Sequence, residues 1–296
     1  MLNAIEEIHR LLEGSHLEAC EVKELRIDTC NEIAFCLRLN SVEQFQAWNH
    51  MKELISITER YPLIIDNSED CFSRFYFEEE KDDGYITDVS PNSIISESLS
   101  VNLENFLESK KWAIREEDLN WEIEIFESQR SNESLPNWSH IRQLIGNRTI
   151  STNYDLQKFL FNWESKNCTI DYSRINSSSF DKRWTEYKDP QLLLLPISHS
   201  WESLAYIHWW GAGEIGTPNL MSLLKKWHME FGTELFSDDG VLLQFIVNKP
   251  PSNLAAAFEL AWEQNTVTSW TTEWLNLRDH TRSLQSLNRW VLFDRP

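Results

Sequence analysis

The chain has 296 residues, of which 41% are hydrophobic and 25% are charged. This composition is typical of a folded globular protein and excludes wholesale disorder. The formal net charge is −20, and residues 1–150 hold 30 acidic and 14 basic side chains, a net charge of −16. Because that half would repel the phosphates of DNA or RNA, we expect no direct nucleic-acid binding, whereas a basic protein would be attracted. The plain alternative is that the net charge only keeps the protein soluble.

The cysteines and the opening segment predict a cytoplasmic location. The five cysteines are an odd number, and no two of them form a C-x-x-C pair, so neither a disulfide framework nor a zinc knuckle is expected. The opening segment, MLNAIEEIHRLLEGSHLEAC, lacks the unbroken apolar run of a signal peptide. The longest apolar runs, such as Leu192–Pro196, are too short to span a bilayer. We therefore expect no contact with a membrane.

In the first half, local patterns predict both helices and strands. Leu2, Ile5, Ile8 and Leu12 repeat at helical spacing, and Gly14 is a natural end for that helix. The further predicted elements are, in chain order, the strands Val22–Ile27 and Glu32–Leu39, a helix from Ser41 with Gln44 completing a capping box, the strand Tyr61–Asp66 with Phe72–Phe77 as its pairing partner, the helix Ile94–Lys111, and a half-buried strand in which Trp121, Ile123 and Ile125 alternate with Glu122 and Glu124.

The second half begins with a polar, turn-rich segment, Gln129–Pro136, which is the predicted linker. Sharper signals follow it. The predicted elements are the helix Asn153–Trp163, the buried strand Leu192–Leu195, a helix from Thr217-Pro218 to Phe231 that Gly232 ends, a hairpin of Thr233–Phe236 and Val241–Val247, a helix capped by Ser252 through Trp262, a helix over Thr272–Leu287, and the strand Trp290–Phe293.

The interleaving of strands and helices predicts an α/β fold, with α+β as the alternative. We expect layered mixed sheets with flanking helices, arranged in two subdomains. The predicted division is an acidic amino-terminal α/β domain at residues 1–130, a linker and helical connector at 131–190, and a carboxyl-terminal α/β domain at 191–296.

Three groups of residues in the carboxyl-terminal part carry a resemblance to a known family. They are the segment Trp201–Tyr206, the helix end Leu224–Leu235, and the alanine-rich helix through Glu263-Gln264 with the aromatic strand that ends at Asp294. Through them the last hundred or so residues, from Pro196 onward, resemble the bacterial family called domain of unknown function 4253. The segment from Ala47-Trp48 through Tyr61–Ile65 more weakly resembles the amino-terminal part of longer family members. The resemblance implies a shared α/β fold. It implies no mechanism, since the family has no agreed activity.

Motifs for catalysis or cofactor binding are weak. Gly211–Gly216 reads G-x-G-x-x-G, but the helix predicted to begin at Thr217 starts after the last glycine, so we expect no dinucleotide and no other cofactor. The eight histidines lack the spacing of metal ligands, so we expect no metal site. His208, His228 and His280 are weak catalytic candidates that the fold would have to bring together. The sequence therefore favours a binding protein over an enzyme.

The candidate partner-binding residues are carboxylates that could face a basic protein. They are Glu78, Glu79, Glu80, Asp82 and Asp83 in a charged turn, and Glu122 and Glu124 on the outer face of the predicted strand. A solvated loop is the plain alternative for the turn. With the 14 tryptophans as further contact residues, the sequence predicts an immunity-type or inhibitor protein that occludes a basic protein partner.

Three alternatives stay open. One is a hydrolase-like or other enzyme with a pocket in the carboxyl-terminal domain, near Trp201, His208, Trp227 and His228. Another is a virus-encoded inhibitor of a host defence enzyme. The third is a structural subunit of an oligomeric assembly, which an exposed apolar patch would support.

Overall fold

The computed structural model of the chain describes residues 2–27, 30–39, 43–66, 90–129, 135–178, 184–213, 215–268 and 275–294. The strands in these residues are β1 (Glu21–Ile27), β2 (Glu32–Arg38), β3 (Tyr61–Asp66), β4 (Pro190–Leu195), β5 (Thr233–Asp238), β6 (Leu242–Val247) and β7 (Arg289–Phe293). They form one seven-stranded sheet in the order β1-β2-β4-β3-β5-β6-β7.

The sheet is mixed, because β3 pairs with β5 in parallel, with Ile64 opposite Ser237. The other neighbouring strands are antiparallel. Every residue of β4 is buried, as expected of a strand covered on both faces. The predicted α/β class with a mixed sheet and flanking helices is therefore confirmed.

Helices cover the sheet and fill the long connection between β3 and β4. They are α1 (Ile5–Leu12), α2 (Gln44–Glu53), α3 (Ile55–Thr58), α4 (Pro91–Ser100), α5 (Leu103–Ser109), α6 (Glu116–Gln129), α7 (Trp138–Gly146), α8 (Asn153–Asn167), α9 (Tyr172–Ser178), α10 (Thr217–Phe231), α11 (Leu254–Val267) and α12 (Leu277–Leu284), with 3₁₀ turns at Ser200–Ala205 and Trp210–Ala212. None of the described helices has the length and apolar character to cross a membrane.

The predicted domain boundary at residue 190 falls inside the sheet. Strands β1 to β3 precede it and β4 to β7 follow it, and both groups pack into one large hydrophobic core. A second, smaller core lies between α6, α7 and α8, around Phe126, Ile141 and Leu160. The division into three segments stays a prediction, but neighbouring strands β2, β4 and β3 are drawn from both sides of the boundary.

Many locally encoded elements lie where the sequence predicts them. The helix that ends near Gly14, the β1–β2 hairpin, the strand Tyr61–Asp66, the β5–β6 hairpin and the terminal strand are all present. Gly14 has a φ of +77°, in the left-handed region that glycine tolerates best. The Phe72–Phe77 strand, the Ser41 cap and most of the Gln129–Pro136 linker lie outside the described residues.

Several predicted helix boundaries are wrong for local reasons. The helix predicted over Ile94–Lys111 is two helices, because Asn102 caps α5 by accepting a hydrogen bond from the Asn105 backbone N–H at 3.0 Å. The cap of α11 is Asn253 and not Ser252, since the Asn253 side chain accepts from the Ala256 N–H. Both corrections reflect an asparagine taking the cap position, which its short side chain favours.

The strand predicted over Trp121–Ile125 is also wrong, because these residues belong to helix α6. The alternation of apolar and acidic residues is typical of a strand, but the buried residues recur at helical spacing, at Leu119, Glu122 and Phe126. The buried Glu122 interrupts the apolar stripe and hides the helical period from a sequence analysis.

One glycine of the Gly211–Gly216 motif has a packing role. A methyl carbon added at Gly211 would lie 2.2 Å from the ring of Trp209, which is fully buried. Helix α10 begins at Thr217, with Gly216 as its cap at a φ of +81°. The last glycine of the motif thus precedes the helix, which differs from the dinucleotide-binding arrangement.

Candidate functional site

Helix α6 presents an exposed tryptophan between carboxylates. Trp121 is 64% exposed, which is unusual for so large an apolar side chain. Glu117 lies one turn before it and Glu124 one turn after it, and both are exposed. Side chains three and four residues apart are neighbours on a helix surface, so the two carboxylates flank the indole. We call these three residues the α6 outer face.

The other acidic residues at the start of α6 are held by arginines. Arg115 donates to Asp118 at 3.0 Å, and Arg142 donates to Glu116 at 3.2 Å. Burial alone would raise the pKa of Asp118, but the hydrogen bonds from Arg115 outweigh burial and lower it. By contrast, Glu117 and Glu124 form no ion pair with any described residue, although the charge of Glu117 adds to that of Asp118 in raising the pKa of Arg115. Their charges therefore face solvent.

The inner face of α6 carries a buried ion pair. Glu122 is only 6% exposed, and its Oε2 accepts a hydrogen bond of 2.6 Å from Nη1 of Arg278 in helix α12. Its Oε1 accepts from Gln157 of α8, and the Arg278 guanidinium lies 4.5 Å from the ring centroid of Phe126. Glu122 therefore does not belong to an exposed acidic surface, and that part of the prediction is corrected. Glu124 is exposed, and its role in binding stays a prediction.

The ion pair continues into a chain of alternating charges. Arg282 donates to Glu164 at 2.6 Å, and Asp279 accepts from both Arg282 and Arg174. Apart from Arg174, these side chains are almost fully buried. We call these residues, together with Glu122 and Arg278, the buried ion network. It contains three carboxylates and three guanidinium groups, so its net charge is zero. The network ties α6, α8 and α9 to α12, so the segment predicted as a linker and connector is packed firmly against the carboxyl-terminal part.

The acidic turn falls outside the described residues. Its members are Glu78, Glu79, Glu80, Asp82 and Asp83. Whether they contribute to partner binding stays a prediction from the sequence.

The three candidate histidines have different surroundings. His280 is fully buried in α12, with Nε2 2.7 Å from Oε1 of Gln264, and burial lowers its pKa to about 3. Nδ1 of His228 lies at hydrogen-bond distance, 3.0 Å, from the backbone oxygen of Thr233. The His208 ring packs edge-on against Trp210. The ring contacts of His228 and His208 are with tryptophans, Trp201 and Trp210 respectively.

Of the residues proposed for an enzyme pocket, Trp201 and His228 contact each other, with ring centroids 4.7 Å apart. The ring of His199 stacks on Trp201 at 4.3 Å, a contact that sequence spacing did not reveal. Burial raises the pKa of the neighbouring Glu202. Trp227 lies elsewhere in the packing, since its indole N–H donates to the buried Glu263 at 2.7 Å.

No metal site is visible in the residues that the structure describes, where no three histidine, cysteine, aspartate or glutamate side chains come together as ligands. Trp121 and Glu117 are the residues that sequence reasoning missed. The signal that could have found them is the spacing Glu117-x-x-x-Trp121 and Glu122-x-x-x-Phe126, which repeats a carboxylate and an aromatic one helical turn apart.

Comparison with known proteins bears on the carboxyl-terminal part alone. A search of curated proteins and a search of solved structures found nothing that matches the chain. One family model matches residues 191–294, a region that contains β4 to β7 and helices α10 to α12 but not the α6 outer face. The predicted resemblance is confirmed: residues 191–294 match the model of the family described as a domain of unknown function, DUF4253.

Proposed function

We propose that this chain binds and occludes a basic protein in the bacterial cytoplasm, as an immunity-type or inhibitor protein does. The observation that carries the proposal is the exposed Trp121 between the solvent-facing carboxylates of Glu117 and Glu124. Tryptophan is the residue type most enriched among binding hot spots, because it buries a large area at small entropic cost. The carboxylates give such a contact a preference for a cationic surface.

The net charge supports the same partner at longer range. Residues 1–150, which include α6, carry a net charge of −16. A field of that sign accelerates the approach of a cationic protein and repels nucleic acids. The field would act over about 8 Å at physiological ionic strength, so its effect should weaken as salt is added.

The α6 outer face is also rigidly supported. Leu119 and Phe126 on the opposite side of the helix are buried in the second core, and Glu122 is held by Arg278. A helix fixed in this way loses little conformational entropy when a partner binds, which favours affinity.

A binding experiment with matched charge changes tests the proposal. The probe is a fluorescein-labelled helical peptide rich in lysine and arginine, and fluorescence anisotropy reports its binding. We expect Glu117→Gln with Glu124→Gln, and Trp121→Ala alone, each to weaken binding about tenfold, a loss within the range for hot-spot residues.

The control variant is Glu6→Gln with Glu13→Gln, which removes the same charge from exposed positions in and beside α1. We expect it to leave the affinity nearly unchanged. If both double variants weaken binding equally, the peptide responds to net charge alone and the α6 outer face is not the site. Circular dichroism of each variant verifies that the fold is retained.

A second candidate function, catalysis in the carboxyl-terminal part, has one observation in its favour. His199, Trp201 and His228 form a continuous ring contact beside Glu202, whose pKa is raised. Such a grouping suits proton transfer. Histidine NMR signals recorded during a screen of small molecules test this idea, because a substrate must perturb His199 or His228. Hits that leave both signals unmoved would count against it.

A further inference from the structure

We propose that the α6 outer face is a receptor for arginine side chains, with the guanidinium of the partner stacked on Trp121 and paired with Glu117 or Glu124. This inference rests on the proposed function and specifies the chemistry of the partner. It predicts a preference for arginine over lysine at equal charge.

The inner face of the same helix pairs a carboxylate and an aromatic ring with an arginine. Glu122 and Phe126 are four residues apart on α6, and together they hold the guanidinium of Arg278. The carboxylate accepts a hydrogen bond from Nη1 at 2.6 Å, and the ring lies 4.5 Å from the guanidinium carbon. Glu122 and Phe126, a carboxylate with an aromatic ring one turn later, thus form an arginine site.

Helix α8 provides a second instance with the order reversed. Phe161 precedes Glu164 by three residues, and together they hold Arg282. The guanidinium carbon lies 4.9 Å from the ring centroid, and Nη1 donates to Glu164 at 2.6 Å. The ring and the carboxylate again act on the same guanidinium.

The outer face repeats both spacings around a single ring. Glu117 precedes Trp121 by four residues, as Glu122 precedes Phe126, and Glu124 follows it by three, as Glu164 follows Phe161. The nearby arginines are engaged elsewhere, Arg115 by Asp118 and Arg142 by Glu116. Among the described residues no cation lies over Trp121.

Arginine suits this site better than lysine for physical reasons. A guanidinium is planar and weakly hydrated, so it can stack on the indole while its edge donates to a carboxylate. An ammonium group is compact and strongly hydrated, and it has no planar face to stack on the ring. The indole is also the strongest cation–π acceptor among the aromatic side chains.

The test compares two labelled peptides of equal length and charge, one of alternating arginine and alanine and one of alternating lysine and alanine. Anisotropy titrations with the unmodified protein are expected to show arginine-peptide binding about 2- to 5-fold tighter, as one exposed cation–π contact would give. Trp121→Leu should abolish this preference, and Trp121→Phe should retain part of it. The matched control is Trp112→Leu, because Trp112 is 46% exposed but follows two lysines.

The outcomes separate this inference from the proposed function. A preference for arginine that disappears in Trp121→Leu and persists in Trp112→Leu supports both. Equal binding of the two peptides, weakened by the Glu117 and Glu124 substitutions, overturns the arginine preference and leaves the proposed function standing. Failure of both peptides to bind overturns both. A preference that survives Trp121→Leu places arginine recognition elsewhere and overturns the inference.

Discussion

Arg278 donates a hydrogen bond of 2.6 Å to Glu122, a residue 156 positions earlier in the chain. The pair connects α6, which lies outside the matched family region, to α12, which lies inside it. Both side chains are nearly fully buried. A buried pair of this kind need not add much net stability, but the loss of one partner leaves the other charge buried without compensation.

We therefore expect Glu122→Ala to lower the free energy of unfolding by about 3 kcal/mol or more. Arg278 would keep its contacts to Gln157 and, at 3.7 Å, to Glu164, but the closest carboxylate would be gone. Urea denaturation measures the change. Arg278→Met should cost a similar amount, and the double variant should cost clearly less than the sum of the two.

Glu108→Ala is the control for this prediction. It removes an exposed partner of Lys111, and we expect a change of less than about 1 kcal/mol. Additive losses in the Glu122 and Arg278 variants would contradict the finding that the two charges depend on each other.

The same pair explains why α6 could not be predicted from the sequence. Residues 121–125 alternate as in a strand, and the apolar stripe of the helix is interrupted by Glu122. A buried glutamate makes sense only when its partner is known, and that partner is distant in sequence. The exposure of Trp121 could not be predicted for the same reason, since assigning a residue to one face of α6 requires the helical period.

Acidification should destabilise the protein through His280. Burial lowers the pKa of His280 from 6.5 to about 3. In the folded protein His280 therefore stays neutral at pH values at which it takes up a proton in the unfolded chain. The unfolded state therefore binds more protons below pH 6.5, and the free energy of unfolding falls as pH falls through that value. Between about pH 6.5 and 5, which is above the range of ordinary carboxyl groups, the loss approaches about 1.4 kcal/mol per pH unit.

Urea denaturation across that pH range measures the effect of His280. The His280→Gln variant should lose the His280 part of the slope while keeping an amide near Gln264. His140→Gln, at an exposed position on α7, should keep the slope of the unmodified protein. An identical slope in His280→Gln and the unmodified protein would show that another group titrates.

The packing role of Gly211 in the glycine-rich motif can be tested by substitution. Gly211→Ala should lower the free energy of unfolding by about 1–3 kcal/mol, because the new methyl carbon would lie 2.2 Å from the buried ring of Trp209. Gly213→Ala should be nearly neutral, since the closest atom to the added carbon is 3.5 Å away. Thermal or urea denaturation distinguishes the two, and equal losses would contradict the packing role.

Strand order shows the limit of local patterns more broadly. The hairpins β1–β2 and β5–β6 follow from short alternating runs joined by turns, which the sequence displays directly. The insertion of β4 between β2 and β3 does not, because Leu193 pairs with both Cys36 and Leu63 across long stretches of chain. An apolar run indicates a buried strand but does not indicate its neighbours.

The last prediction concerns binding kinetics at the α6 outer face. Charges at the edge of an interface mainly steer the approach, whereas a buried aromatic side chain mainly holds the complex together. With the arginine peptide as ligand, Glu117→Gln with Glu124→Gln should lower the association rate and reduce its dependence on salt. Trp121→Ala should instead raise the dissociation rate, with an association rate close to that of the unmodified protein. Stopped-flow measurements at low and physiological ionic strength separate the two effects.

Because Trp121 is already 64% exposed, its replacement should change the free energy of unfolding by no more than about 0.5 kcal/mol, so a larger loss would mean that the ring supports the fold and not a partner.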